Sequence, residues 1–219
     1  MTVTGEKHLP KALLQMRADY PAEKHRAREA LHREGSRAEF VYLLAEGFVK
    51  LHRLAGDREM LVRFLRPGEL WGEWAENGSA PVWRATASCL CPVVAHAIPV
   101  EEFRRAWKRD TELSAWLAGM LGRRLEEAER RMELMSFYRV EQRLLYSLAE
   151  LAEHCRMGNG RGDYALPLTQ MDLAGLIGAT RETVSTTLNA LERRGVLRLR
   201  RGALEFESPE QLRSVADGV

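Results

Sequence analysis

The sequence predicts an α+β chain in three parts: an N-terminal jelly roll of short β-strands, a long helix, and a C-terminal winged helix-turn-helix. Between residues 30 and 98 short apolar runs alternate with the corners Glu46-Gly47, Gly56-Asp57, Pro67-Gly68 and Asn77-Gly78, the pattern of an all-β domain of jelly-roll or barrel type. Leu113, Leu117, Leu121, Leu125, Ala128, Met132 and Met135 then recur at spacings of four and three, the period of one long helix. Between residues 168 and 197 two short helical patterns meet across Gly178, and a β-hairpin pattern follows. The boundaries are 1–110 for the β-rich domain, 111–138 for the long helix and hinge, and 139–219 for the C-terminal domain.

Residues 1–30 are polar and read as partly helical, punctuated by Pro10 and Pro21, and residues 102–107 read as a short helix that closes the β-rich domain. The stripe from Leu113 to Met135 is flanked by Arg123, Arg124, Glu126, Glu127, Glu129, Arg130 and Arg131. A small β-domain offers too little surface to cover all of it. A parallel coiled coil between two subunits covers it better than the helix's own core, so the stripe predicts a homodimer. Residues 136–140 form the hinge. Residues 140–155 form the next helix, with Leu144, Leu148, Leu151 and Ala152 inward. A glycine-containing loop, 156–164, precedes a strand at 166–168.

In the C-terminal motif Thr169 is an N-cap that Asp172 answers three residues on. Leu173, Leu176 and Ile177 face a core, Gly178 ends the helix, and Thr180 caps the next. Val184, Leu188 and Leu191 form the buried side of that second helix, and Gly195 closes it. Its other side holds Arg181, Glu182, Ser185, Thr186 and Asn189. Arg donates two bonds to guanine, Glu accepts from cytosine N4, and Thr meets the thymine methyl, so Arg181, Glu182, Ser185 and Thr186 are expected to read base edges of double-stranded DNA. Thr169, Gln170, Thr180, Thr183 and Asn189 stand where helix N-termini and polar side chains meet phosphates. Val196, Leu197, Leu199, Leu204 and Phe206 alternate around Arg201-Gly202 as a wing, whose Arg198, Arg200 and Arg201 are placed for phosphates.

The 219 residues hold two small domains, and a hydrophobic fraction of 45% is that of a globular protein. The net charge of +2 makes the chain no polycation, so DNA affinity has to come from local placement. The first ten residues lack an apolar signal-peptide core, and no apolar run approaches the ~20 residues of a membrane span, so a cytoplasmic location with no membrane partner is expected. Cys89, Cys91 and Cys155 then read as reduced thiols, with Cys89 and Cys91 on one face of one strand. The six histidines lack metal-ligand spacing, so no metal is expected. Without a nucleophile elbow, P-loop or HExxH motif, an enzyme is not expected.

TRETV at 180–184, with Leu188, Leu191, Glu192, Gly195 and Val196 after it, resembles the Crp/Fnr family of bacterial transcription regulators. So do REG at 33–35, VYLL at 41–44, GFVKL at 47–51 and RFLRPGELWGE at 63–73, which resemble that family's cyclic-nucleotide-binding-like jelly roll. The resemblance implies a homodimer on a pseudo-palindromic promoter site, acting as an activator that recruits RNA polymerase. It assigns base reading to Arg181 and Glu182 on a TGTGA-type half-site, with Thr186 where the family usually has a third reader, Arg. It also locates an effector pocket at Gly72, Glu73, Ser79, Ala80, Ala128 and Glu129. The pocket is degenerate: Gly78 or Ser79 stands where cAMP-binding members have the phosphate-binding Arg, and Ala128-Glu129 replace their base-contacting Thr-Ser pair. cAMP is therefore not expected as a ligand, and no cofactor is assigned. Trp71, Trp74 and Trp83 filling the pocket, or another small molecule, haem (through Cys89, Cys91, His52 or His96) or a redox signal, remain alternatives. The absence of a cysteine cluster before Cys89 speaks against an iron–sulfur centre.

Overall fold

A computed structural model describes residues 9–56, 58–72, 81–154, 164–200 and 203–218. The chain divides into two compact units, Met1–Arg53 with Val62–Glu127, and Leu54–Leu61 with Ala128–Val219, so the division falls inside the long helix.

The N-terminal half opens with helix α1 (Lys11–Asp19) and continues through strands β1 (Ala22–His25), β2 (Ala30–His32), β3 (Phe40–Glu46), β4 (Val49–Ala55), β5 (Arg58–Leu65), β6 (Leu70–Trp71), β7 (Thr86–Cys89) and β8 (Val93–Pro99). They form two four-stranded sheets, ordered β1-β8-β3-β6 and β2-β7-β4-β5. Helices α2 (Val100–Arg109) and α3 (Thr111–Phe137) follow. The β-rich reading is realised, with one addition. Residues 22–25, expected to be part of a polar and partly helical segment, form an edge strand paired to β8 with Ala22 opposite His96.

β3 explains why its sequence is an unbroken apolar run. Successive strand residues face opposite sides of a sheet, and both sides here are covered. Val41 and Leu43 enter a core with Leu13, Leu70, Ile98, Phe103, Leu113, Leu117 and Met120. Tyr42 and Leu44 enter another with Val49, Leu65, Trp71, Trp83, Cys89 and Val93. The second core holds an aromatic stack. His32 lies 3.5 Å from Trp83 between ring centres with planes 9° apart, Trp71 Nε1 donates to His32 Nε2 at 3.0 Å, and Tyr42 stacks on Trp71 at 4.9 Å. Burial pulls the His32 pKa down to about 3, so the ring is neutral.

Helix α3 corrects the stripe. Leu113 and Leu117 are 0% and 2% exposed and belong to the β-domain's own core, so they are not available to a second subunit. Further along the same helix Leu121, Leu125, Met132 and Met135 are 48%, 61%, 64% and 42% exposed, and Ala128 is exposed as well. The cysteine reading also changes. β7 ends at Cys89 and the chain bends at Leu90 and Cys91, so the two thiols do not share a strand.

The C-terminal unit contains α4 (Val140–His154), β9 (Tyr164–Leu166), α5 (Gln170–Ile177), α6 (Arg181–Arg193), β10 (Arg198–Arg200), β11 (Ala203–Phe206) and α7 (Pro209–Asp217). Leu144, Leu145, Leu148, Ala149 and Ala152 of α4 are buried, as are Leu173, Leu176 and Ile177 of α5 and Val184, Leu188 and Leu191 of α6; Leu151 is half-buried. β9 lies two residues earlier than expected because Pro167 follows it, and it joins the wing in a sheet ordered β10-β11-β9. Helix α7, beyond the span read from sequence, starts at the Ser208 cap, whose side chain accepts from the Gln211 backbone N–H, with Pro209 in the first turn. It packs on α4.

Candidate nucleic-acid interface and sensor pocket

The motif at 169–195 is built from local signals. Thr169 Oγ1 accepts from the Asp172 backbone N–H at 3.1 Å, and Asp172 Oδ2 accepts from the Thr169 backbone N–H at 2.9 Å, completing a capping box. Gly178 ends α5 at φ +63°, the left-handed region where a side chain would be strained. Two residues later Thr180 caps α6, its oxygen accepting from the Thr183 backbone N–H at 3.2 Å.

This geometry displays Arg181, Glu182, Thr183, Thr186 and Asn189 to solvent while Val184, Leu188 and Leu191 hold the helix down; Ser185 is half-buried. Arg181, Glu182, Ser185 and Thr186 are thus brought together on the first turns of α6. Several hydroxyls have prior commitments. Thr169 Oγ1 donates to Asp172 at 2.7 Å, so the start of α5 offers a phosphate backbone N–H groups rather than a hydroxyl proton. Thr186 Oγ1 donates to the Glu182 carbonyl at 3.0 Å, which leaves its oxygen as an acceptor and its methyl for apolar contact.

The wing is tied to α6 by a bond the sequence reading did not foresee. Glu192 Oε1 accepts from the Leu199 backbone N–H at 2.8 Å, fixing β10 to the last turn of the helix. Across the hairpin Arg200 pairs with Glu205 at 3.2 Å, so part of its charge is answered within the protein. Arg198 is exposed. Arg201 lies outside the described residues, as does its turn partner Gly202. The hairpin alternation announced β10 and β11, but the acidic anchor Glu192 read only as part of a polar helix flank.

The expected effector pocket is described in part. Glu73, Ser79 and Ala80 lie outside the described residues, as does Trp74. Gly72 packs against β3 so closely that a Cβ there would stand 2.9 Å from Val41 Cγ2 and 3.1 Å from Val41 Cα, which makes glycine a packing requirement. Ala128 and Glu129 are exposed on α3. Trp71 and Trp83 are buried in the aromatic stack. The residues named for haem or redox chemistry have ordinary surroundings. His52 Nε2 bonds Ser88 Oγ at 3.0 Å, and His96 Nδ1 donates to the Tyr20 carbonyl at 2.7 Å. Burial lifts the Cys89 thiol to about 11 and raises that of Cys91, which disfavours thiolate. Cys155 lies outside the described residues.

Two family descriptions match the chain. The cyclic nucleotide-binding domain matches residues 22–110 and the Crp-like helix-turn-helix domain matches residues 142–215. The cyclic AMP receptor protein of Thermus thermophilus is 34% identical over 192 residues, spanning 85% of this chain and 83% of that one. The chain belongs to the Crp/Fnr family of transcription regulators. A CRP-like cAMP-activated global transcriptional regulator of Mycobacterium tuberculosis is 30% identical over 185 residues, spanning 82% and 80% of the two chains. The crystal structure of a Crp/Fnr-family transcriptional regulator from Thermus thermophilus superposes with a TM-score of 0.75 at 26% identity, covering 90% of this chain and 98% of that one. The Crp/Fnr matches span both halves, so the β-rich domain, long helix and winged helix-turn-helix are parts of a regulator and not of an enzyme. Its helix-turn-helix is a DNA-binding domain. Among the described residues no helix is long and apolar enough to cross a membrane.

Proposed function

We propose that this regulator binds a pseudo-palindromic promoter site as a homodimer, activates transcription there by engaging RNA polymerase, and does so without cAMP. The observation that carries the reading is the first turn of α6, where Arg181 and Glu182 stand exposed beside a capped N-terminus and above a buried apolar side. In that position the pair reads base edges with Ser185 and Thr186, while the starts of α5 and α6, with Gln170, Thr183, Asn189, Arg198, Arg200 and Arg201, meet phosphates. The dimer reading is supported by the exposed apolar residues Leu121, Leu125, Met132 and Met135 on one long helix. Paired readers would engage half-sites about one DNA turn, ~34 Å, apart.

Independence from cAMP is supported by composition at the family's ligand positions. A phosphate buried without its guanidinium is poorly compensated, and Gly78 or Ser79 stands where that Arg belongs. Transcription in vitro from a promoter bearing the protein's selected site tests the whole reading. Transcript should rise on adding the protein, equally with and without cAMP. A strict cAMP requirement, or a fall in transcript, would overturn the corresponding part.

A further inference from the structure

The β5–β6 turn and α3 enclose a cavity of about 50 Å³ whose lining is dominated by arginine. Arg63 comes from the end of β5 and Arg66 from the turn, Arg123 and Arg124 from the helix, and among the described residues the carboxylates in the lining are Glu69 and Glu127. Among these described residues, four guanidinium groups against two carboxylates leave two positive charges in excess.

The carboxylates are already shared. Glu69 Oε1 accepts from Arg63 Nη2 at 3.0 Å and from Arg66 Nη2 at 3.4 Å, and Glu69 Oε2 accepts from the Arg66 backbone N–H at 2.9 Å. Glu127 accepts from Arg66 Nη2 at 3.2 Å and lies 3.8 Å from Arg63. Arg63 is only 14% exposed at its side chain, yet its Nε and Nη1 are buried and, among the described residues, have no hydrogen-bond partner. Buried donors without acceptors are costly, and buried charge in excess is costlier. The Arg124 pKa is pulled down to about 10, first by burial and then by the like charge of Arg63, as expected of cations crowded beyond their counterions.

The volume suits one small oxyanion. A water needs roughly 10–15 Å³ of such space, so this cavity holds on the order of three or four waters, or one tetrahedral group. Planar, always-charged arginine forks are the side chains best matched to phosphate oxygens. We propose that the cavity lined by Arg63, Arg66, Arg123 and Arg124 is a binding site for the phosphoryl group of a small dianion. It shares no residue with the family's nucleotide positions at Gly72, Glu73, Ser79, Ala80, Ala128 and Glu129. It does not depend on how the C-terminal unit reads DNA.

The source is either inorganic phosphate or a phosphomonoester, and calorimetry on the full-length protein separates them. Inorganic phosphate and glycerol 3-phosphate are titrated in turn at pH 8, with chloride adjusted to hold ionic strength constant. At least one should bind saturably, and the tighter one identifies the source. Arg63→Met should weaken that binding by tenfold or more, Arg63→Lys by less, and Arg109→Met, on an exposed surface elsewhere, not at all. Glu69→Gln removes a competing carboxylate but keeps an acceptor for the turn, so it should tighten binding. Absence of saturable binding by both anions would overturn the proposal. So would binding that survives Arg63→Met, because it would then reside at a helix N-terminus or the wing. If Arg63→Met does not fold, Glu69→Gln decides: equal or weaker anion binding would mean that the cluster is only an internal ion-pair network.

Discussion

Leu117 and Leu125 sit on the same sequence stripe eight residues apart, and the structure buries one and exposes the other. Leu125 is 61% exposed, whereas Leu117 is 2% exposed within its own domain's core. Fully burying a leucine side chain stabilises by ~1.5–3 kcal/mol. The exposed share of Leu125 therefore contributes ~1–2 kcal/mol per subunit if a second copy covers it, or ~2–4 kcal/mol per dimer. Leu125→Glu forfeits that contribution and adds a carboxylate beside Glu126 and Glu129. The dimer dissociation constant should rise at least about thirtyfold, since each 1.4 kcal/mol is tenfold. Leu117→Ala should act elsewhere. It empties a core site, costs ~2–5 kcal/mol of folding stability and leaves the dissociation constant nearly unchanged. Sedimentation equilibrium reads the first quantity and urea unfolding the second. The two roles are wrongly assigned if Leu125→Glu leaves dimerisation within threefold of the parent, or if Leu117→Ala splits the dimer without lowering stability.

Three further expectations follow from the same geometry. Arg181→Ala should lower affinity for the specific site by ~1–3 kcal/mol while barely changing affinity for random duplex, because the lost bonds are to a base; equal losses on both DNAs would refute the assignment. cAMP at millimolar concentration should leave the melting temperature unchanged, since a ligand absent from the native state cannot shift its stability; a clear rise would refute the degenerate-pocket reading. Acid should destabilise the β-domain through His32. Its folded pKa of about 3 lies below the ordinary 6.5, so the unfolded chain takes up the proton first. This contribution is fully present above pH 6.5 and is lost as pH falls from there towards 3, at ~1.4 kcal/mol per pH unit. His32→Gln keeps an acceptor for Trp71 Nε1 and should flatten that slope in urea midpoints measured between pH 7 and 4; an unchanged slope would refute it.

The helix-turn-helix was legible because its instructions are local. Thr169 with Asp172, Gly178 and Thr180 each act within four residues, and all adopt the expected caps or left-handed turn. The edge strand β1 was not legible because AEKH has no apolar alternation; three of its four residues are exposed and it exists through pairing with β8. α7 did carry a readable start, Ser208 followed by Pro209, but it lies after Phe206, the last residue of the wing pattern. The stripe on α3 shows the limit of periodicity, which marks a side as apolar without saying what covers it. Leu113 and Leu121 obey the same spacing, yet one is buried in its own domain and the other is exposed. At the candidate sites the exposure of Arg181 and Glu182 followed directly from the helix period. Glu192 holding the wing, and Arg63 and Arg66 meeting the arginines of α3, required the chain to fold back on itself.

Two copies of α6 are expected to read DNA sequence together. Selection of bound sites from a pool of random duplexes, with the intact protein and without cAMP, checks this. Two inverted half-sites related to TGTGA are expected, about one helical turn apart, and relaxed at the base pair that Thr186 faces in place of the family's Arg. Enrichment of a single isolated half-site, of no sequence at all, or of a fully stringent TGTGA at every position would contradict it.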